Sequence, residues 1–90
     1  MYRIIYTGQF KKSLKRCVRR GLNIQAFTEV INILQQQGEL PEKYHPHKLQ
    51  GKYRGFWECH IEPDWLLIWQ QNDKELYLIL VNTGTHSDLF

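Results

Sequence analysis

The stretch GFWECHIEPDWLLIW, Gly55 to Trp69, holds two apolar and aromatic runs on either side of the dipeptide Pro63-Asp64. Aromatic and branched residues favour strands, and a proline followed by an aspartate favours a tight turn. The stretch therefore predicts two strands, over residues 56–61 and 65–69, joined by a turn.

Side chains alternate between the two faces of a strand, and this decides where the chemistry of the first run can lie. The apolar residues of this run are expected to share the face that packs on the rest of the protein: Trp57, Cys59 and Ile61. The polar residues are expected on the opposite, open face: Glu58, His60 and Glu62. The pattern thus predicts that His60 lies on the open side of a sheet.

Downstream, the apolar run Leu76 to Val81 follows the turn-like segment 71–74 and predicts a third strand. Short connections between successive strands favour antiparallel pairing. The three strands are therefore expected to form an antiparallel meander.

Upstream, residues 2–6 predict a short strand, and two helical patterns come after it. Thr7 offers an N-cap for the first helix, and Asn23 offers one for the second. Gly21 and Gly38 are expected to end these helices. The chain is therefore predicted to be a single α+β domain over residues 1–90, in the order β-α-α-β-β-β, with two N-terminal helices packed on a small antiparallel sheet.

The composition is that of a globular protein, with 42% hydrophobic residues in 90 positions. The longest apolar run has six residues, whereas a membrane-spanning helix needs about 20. The first residues lack the apolar segment and cleavage site of a signal peptide. We therefore expect a soluble cytoplasmic protein without a membrane partner.

Positive charge is concentrated at the start of the chain. Seven of the twelve Lys and Arg residues lie in the first twenty positions, and no acidic residue precedes Glu29. Such a patch favours nucleic acid, an acidic protein or an anionic membrane surface, although surface charge is often only solvated. The candidate binding residues on the first helix are Lys11, Lys15, Arg16 and Arg19.

The two cysteines, Cys17 and Cys59, lack the paired spacing of a structural zinc site, and we expect both to be reduced. A zinc site could instead combine Cys59 with nearby histidines. Cys59 and His60, however, are adjacent in a strand and point to opposite faces. We therefore expect no metal ion and no other cofactor.

The four histidines, His45, His47, His60 and His86, all lie in the second half of the chain. Imidazole can act as a base or as an acid near neutral pH, and a single histidine is more often structural. RNA cleavage through a ribose 2′-OH needs a base, an acid and a donor for the phosphoryl charge. Several histidines on one face of a sheet would meet the first two needs.

Three motifs carry a resemblance to a known family: HKLQG (residues 47–51), GFWECHIEPDWLLIW (residues 55–69) and TGTHSDLF (residues 83–90). Together they resemble the YafQ branch of the RelE/ParE superfamily of type II toxins. The resemblance implies a RelE-like fold and a ribosome-dependent endoribonuclease that cuts mRNA in the decoding site without a cofactor. It also implies a cognate acidic antitoxin, through which alone the toxin would contact operator DNA.

The resemblance also implies the roles of particular residues. His47, His60 and Asp64 would transfer protons at the 2′-OH or orient the groups that do. His86 matches the general acid for the leaving oxygen. The two aromatic positions, Trp65 and Phe90, would contact the substrate. His45 has no counterpart among the motif residues of the family and is left out of the expected site.

Asn82 departs from the family, which usually has an arginine two residues before the tail glycine. A neutral amide is a weaker donor than a guanidinium, so we expect cleavage to be roughly ten- to a hundredfold slower. Either Asn82 is a natural variation for which Lys52 or Arg54 compensates as a substrate-binding cation, or it is an engineered substitution. Two alternatives stay open: a module that binds antitoxin or nucleic acid without cutting, and an inhibitor of DNA gyrase like the ParE toxins.

Overall fold

A computed structural model describes residues 1–90 and contains three α-helices and one five-stranded sheet. The strands are β1 (Arg3–Tyr6), β2 (His47–Lys48), β3 (Trp57–Glu62), β4 (Trp65–Asn72) and β5 (Tyr77–Gly84). The helices are α1 (Gly8–Arg19), α2 (Ile24–Gln37) and α3 (His86–Leu89). None of these helices is long and apolar enough to cross a membrane.

Three of the four predicted helix-end residues act as caps, whereas α1 ends at Arg19 with Arg20 as its C-cap, and Gly21 follows with φ 85°. The Thr7 hydroxyl accepts a hydrogen bond from the Phe10 N–H, and the Asn23 side chain accepts one from the Gln25 N–H. Gly38 ends α2 in the left-handed conformation, with φ 72°. Polar caps satisfy backbone donors that a helix leaves unpaired at its first turn.

The strands lie in the order β1-β5-β4-β3-β2, and the predicted meander forms the centre of the sheet. β1 lies beside β5 and is parallel to it, so the sheet is mixed and not wholly antiparallel. The third predicted strand starts at Tyr77 because Leu76 adopts a positive φ of 55° in the turn. Two short elements were not predicted, namely β2 and α3.

Both long helices cover one face of the sheet. Phe10 and Phe27 of the helices are buried against Trp65 and other core residues of the sheet. Cys59 and Ile61 lie in the same cluster, whereas His60 is half-exposed, so the predicted alternation along β3 is confirmed. The polar residues of β3 lie on the face away from the helices, but this face is not open as predicted, because Glu58 is 5% exposed and its cross-strand neighbour Ile68 is 0% exposed.

Candidate functional site

The β3–β4 turn and the start of α3 meet beside β3, and this contact brings two sequence motifs together. The His86 N–H donates to Asp64 Oδ1 at 3.0 Å, and His86 Nδ1 lies 2.7 Å from the same oxygen. The hydrogen bond from the His86 backbone, and to a smaller extent the one from its ring, lower the pKa of Asp64. The carboxylate is therefore charged at neutral pH. An ionised carboxylate only accepts, and Nδ1 must therefore carry the hydrogen. This leaves Nε2 of His86 free to exchange a proton.

His60 lies next to this pair. Its ring centroid is 5.8 Å from that of His86, with the planes at 66°. On its other side, the ring of His45 lies 5.4 Å away. Three imidazoles thus form a row, of which His60 is the middle member. His45 was missed by sequence reasoning, because nothing in a loop segment shows that its ring turns toward the sheet.

His47 occupies a different environment from the other histidines. Its Nδ1 lies 2.7 Å from the His45 carbonyl oxygen, and its Nε2 lies 3.1 Å from Glu58 Oε1. A carbonyl oxygen can only accept, so Nδ1 carries a hydrogen and Nε2 faces the carboxyl group. Both ring nitrogens of His47 are therefore engaged. This geometry favours an orienting role for His47 over direct proton transfer.

Glu58 lies on the same face of β3 as His60 but is buried, with 5% of its surface exposed, and pairs across the strands with His47. Its second carboxylate oxygen is buried without a hydrogen-bond partner. A buried carboxyl group depends strongly on its one polar partner. Glu58 therefore holds His47 on the sheet. Glu58 was missed by sequence reasoning, although its position two residues before His60 on the same face of the strand was a signal that could have found it.

Trp65 corrects an expectation from the sequence. The resemblance implied a substrate contact, but Trp65 is 1% exposed and packs against Phe27 under the helices. Its indole N–H donates to the Thr83 hydroxyl at 2.8 Å. Every second residue of β4 points to the core face, and Trp65 shares this face with Leu67 and Trp69. Trp65 is therefore a core residue, with almost none of its surface accessible to a substrate.

Asn82 lies on β5, opposite Ile68 of β4. Its side-chain oxygen accepts a hydrogen bond from the Ser13 hydroxyl of α1 at 2.6 Å and one from the Thr83 N–H at 2.9 Å. Its amide nitrogen makes no hydrogen bond within the chain. Asn82 is thus tied to α1 and offers a neutral donor.

Phe90 lies beside the loop that carries two of the expected cations. Its ring is 66% exposed and meets the Tyr53 ring edge-on, with centroids 6.1 Å apart. Lys52 Nζ lies 5.6 Å from the centroid of the same Tyr53 ring, and Arg54 follows as an exposed residue. The structure therefore groups the terminal aromatic ring with Tyr53 and Lys52, and Arg54 is the next residue along the chain.

The basic residues of α1 divide into two groups. Lys11, Lys15 and Arg19 are exposed and make no ion pair. Arg16 was expected to bind substrate, but its guanidinium lies 3.8 Å from Asp88. Arg20, the C-cap residue of this helix, donates to the same carboxylate at 2.6 Å. Part of the basic helix therefore holds the tail.

The tail helix α3 is fixed at its first turn. Thr85 accepts from the Asp88 N–H, and the Asp88 carboxylate accepts from the Thr85 N–H, which forms a capping box. A Cβ on Gly84 would lie 2.8 Å from the Asp88 Cβ, so this close approach requires glycine. The hydrogen bond from Arg20, and to a smaller extent the one from the Thr85 N–H, lower the pKa of Asp88 to about 2.

Asp88→Asn is expected to lower the free energy of unfolding at pH 7 by roughly 1 to 2 kcal/mol, because the charged carboxylate binds Arg20 only in the folded state. The native pKa lies below the ordinary value of 3.8. The contribution is therefore complete above about pH 4 and is lost as the pH falls toward 2. Urea unfolding at several pH values measures the difference between wild type and variant. Glu75→Gln, in an exposed turn, is the control, and a difference that does not shrink in acid would contradict the assignment.

Comparisons with known proteins show the family of the chain. Residues 2–90 match the family model described as a bacterial toxin of type II toxin-antitoxin systems, YafQ. The chain is 36% identical over 88 residues to the mRNA interferase toxin YafQ of Escherichia coli strain K12, covering 97% of this chain and 94% of the relative.

Solved structures give the same result. The crystal structure of YafQ from E. coli strain BL21(DE3) superposes with a TM-score of 0.90 at 33% identity, covering 100% of this chain and 99% of the other. YafQ in the E. coli DinJ–YafQ complex superposes with a TM-score of 0.89 at 34% identity and the same coverage. The chain therefore belongs to the YafQ family of toxins of type II toxin-antitoxin systems.

Proposed function

We propose that this chain is an endoribonuclease that cleaves mRNA in the decoding site of translating ribosomes, and therefore acts in the cytoplasm. The observation that carries the proposal is the Asp64–His86 pair, placed 5.8 Å from the ring of His60. Two imidazoles this close can contact the same phosphodiester. The relatives named as mRNA interferases support the choice of RNA as substrate.

The reaction is an attack of the ribose 2′-oxygen on the adjacent phosphorus. His60 takes the 2′ proton as the O–P bond forms, and Nε2 of His86 gives a proton to the 5′-oxygen as the P–O5′ bond breaks. The products are a 2′,3′-cyclic phosphate and a 5′-hydroxyl. Asp64 keeps the hydrogen of His86 on Nδ1, so that Nε2 faces the leaving oxygen. These steps are carried by protein side chains and need no cofactor.

The remaining residues bind and position the RNA. Lys52 and Arg54 lie in an exposed loop and would neutralise phosphate charge. The exposed ring of Phe90 offers a surface on which a base can stack. His47, held by Glu58, fixes the edge of the sheet beside His60. The amide of Asn82 would donate to the phosphoryl group.

The experiment that tests this function maps mRNA ends by primer extension after incubation with purified toxin, with and without ribosomes. New ends that appear only with ribosomes are the expected result. Cleavage of naked mRNA at the same rate would show that the activity does not depend on the ribosome. No cuts in either sample would favour the second candidate, a toxin fold that binds antitoxin or nucleic acid without cutting, for which the neutral Asn82 is the favouring observation.

We propose that a cognate acidic antitoxin neutralises the toxin by binding the exposed basic face of α1. Lys11, Lys15 and Arg19 lie on one helix, are exposed and lack acidic partners within the chain. An acidic segment would complement their charge. The E. coli relative is known in a complex with DinJ, which supports a partner of this kind. Operator DNA would then be contacted only through the complex.

Reversing two of these charges, in the variant Lys15→Glu, Arg19→Glu, is expected to weaken antitoxin binding by roughly ten- to a hundredfold. The attraction becomes repulsion at two positions, and the loss should shrink in high salt. Calorimetry with the antitoxin of the same system measures the affinity. Lys74→Glu, in the β4–β5 turn, changes charge away from α1 and should bind normally. Unchanged affinity in the double variant would place the interface elsewhere.

A further inference from the structure

A groove of about 780 Å³ opens beside β3, where the short strand β2 no longer covers the sheet edge. β2 pairs with β3 only at Trp57 and Glu58, so the edge from His60 to Glu62 is left without a neighbouring strand. The residues that line the groove include Glu29, Lys43, Tyr44, His45, His60 and Glu62. The groove is therefore continuous with the row of imidazoles at His60.

His45 forms a fixed wall of this groove. Its backbone is left-handed, with φ and ψ both 50°, a conformation that is uncommon outside glycine but enriched for histidine. In this conformation its carbonyl oxygen accepts from His47, and its ring meets the ring of His60 at 65°. One contact thus holds the backbone of His45 and the other places its exposed ring beside the proposed base. An exposed ring held in this way is suited to stacking.

We propose that this groove binds the base of a nucleotide that flanks the scissile phosphate, with the ring of His45 as its stacking surface. The inference rests on the proposed function, because it takes the phosphate at His60 as its starting point. The volume lies within the range of small-molecule sites and accommodates one nucleotide. Single-stranded RNA presents unstacked bases, which proteins bind on aromatic rings including histidine.

The charges of the groove favour a base over a second phosphate. Glu29 and Glu62 contribute two carboxylates, against the single ammonium of Lys43. Two carboxylates repel a phosphate but accept hydrogen bonds from amino groups on a base edge. Lys43 Nζ also lies 5.0 Å from the centroid of the Tyr44 ring, which keeps the cation at the wall. The groove therefore selects the base and leaves the phosphate at His60 and His86.

Two substitutions at His45 separate stacking from other roles. His45→Asn removes the ring and keeps a residue that tolerates the left-handed backbone. We expect KM for ribosome-bound mRNA to rise roughly 5- to 100-fold, with kcat within about threefold of wild type. His45→Phe restores a ring without a titratable nitrogen, and it should recover most of the affinity. Gln50→Ala, an exposed loop position outside the groove, is the control.

A binding measurement separates this proposal from the proposed function. The probe is a short RNA with 2′-O-methyl riboses, which cannot be cleaved, titrated into isotope-labelled wild-type toxin. Chemical-shift changes at His45 and Lys43 are expected, and their loss in His45→Asn would confirm the site. Cleavage by wild type with an unchanged KM in His45→Asn would overturn the base site alone. RNA binding in the groove by a wild type that never cleaves would overturn the nuclease alone.

Discussion

Replacing His60 and His86 together by alanine is expected to lower the cleavage rate on ribosomes by at least about a thousandfold. The pair supplies both proton transfers of the proposed reaction, and each positioned acid or base typically contributes about 10²- to 10⁴-fold. The two effects will not multiply, because a substrate that has lost one proton transfer gains little from the other. Rates of primer-extension product formation measure the loss.

The controls for this variant test whether the loss is chemical. His86 is exposed and His60 is partly exposed, so the double variant should fold and still sediment with ribosomes. Gln70→Ala, an exposed position on β4, should cleave like wild type. Asp64→Asn leaves the ring of His86 in place but removes the charged acceptor of its Nδ1 hydrogen, and should give an intermediate rate. Unchanged cleavage in the double variant would end the proposed mechanism.

Replacing Asn82 by arginine is expected to raise the cleavage rate by roughly ten- to a hundredfold. A guanidinium donates charged hydrogen bonds to the phosphoryl oxygens as their charge grows, whereas the amide of Asn82 is neutral. The gain should appear in kcat, because the added interaction is strongest in the transition state. Single-turnover rates on programmed ribosomes measure it directly.

The same substitution has a structural cost that the experiment can isolate. Ser13 is 2% exposed, and its hydroxyl donates to Asn82 at 2.6 Å, so arginine leaves a buried donor unpaired. The variant Ser13→Ala, Asn82→Arg removes that donor and should regain part of the lost stability. Asn82→Gln adds length without charge and should stay slow. An equal or lower rate for both arginine variants would mean that another group, such as Arg54, carries the charge.

Local signals in the sequence predicted most of the fold. The caps at Thr7, Asn23 and Gly38 use side chains or backbone freedom of the residues themselves, and each formed as predicted. The alternation along β3 placed Cys59 and His60 correctly, because a strand has a fixed period of two. By contrast, β2 has two residues and α3 has four, and elements this short show no periodic pattern.

The site was less predictable, because its members meet through tertiary contacts. The left-handed backbone of His45 sets the position of its ring, and the composition of the loop does not reveal that conformation. For Trp65, by contrast, the local sequence pattern indicates the correct position and the resemblance does not. The resemblance implied a substrate contact, whereas its spacing from Leu67 and Trp69 indicates the core face, where the structure places it.

The parallel pair of β1 and β5 has a consequence for the timing of toxicity. β1 is synthesised first among the strands and β5 last, and β5 also connects β1 to the rest of the sheet. His86 is synthesised later still and depends on Arg20 and Asp88 for its helix. Pairings between distant segments form late and slowly during folding. A nascent toxin therefore lacks His86 of the proposed site while most of its own message is being translated, and β1 can join the sheet only when β5 is in place.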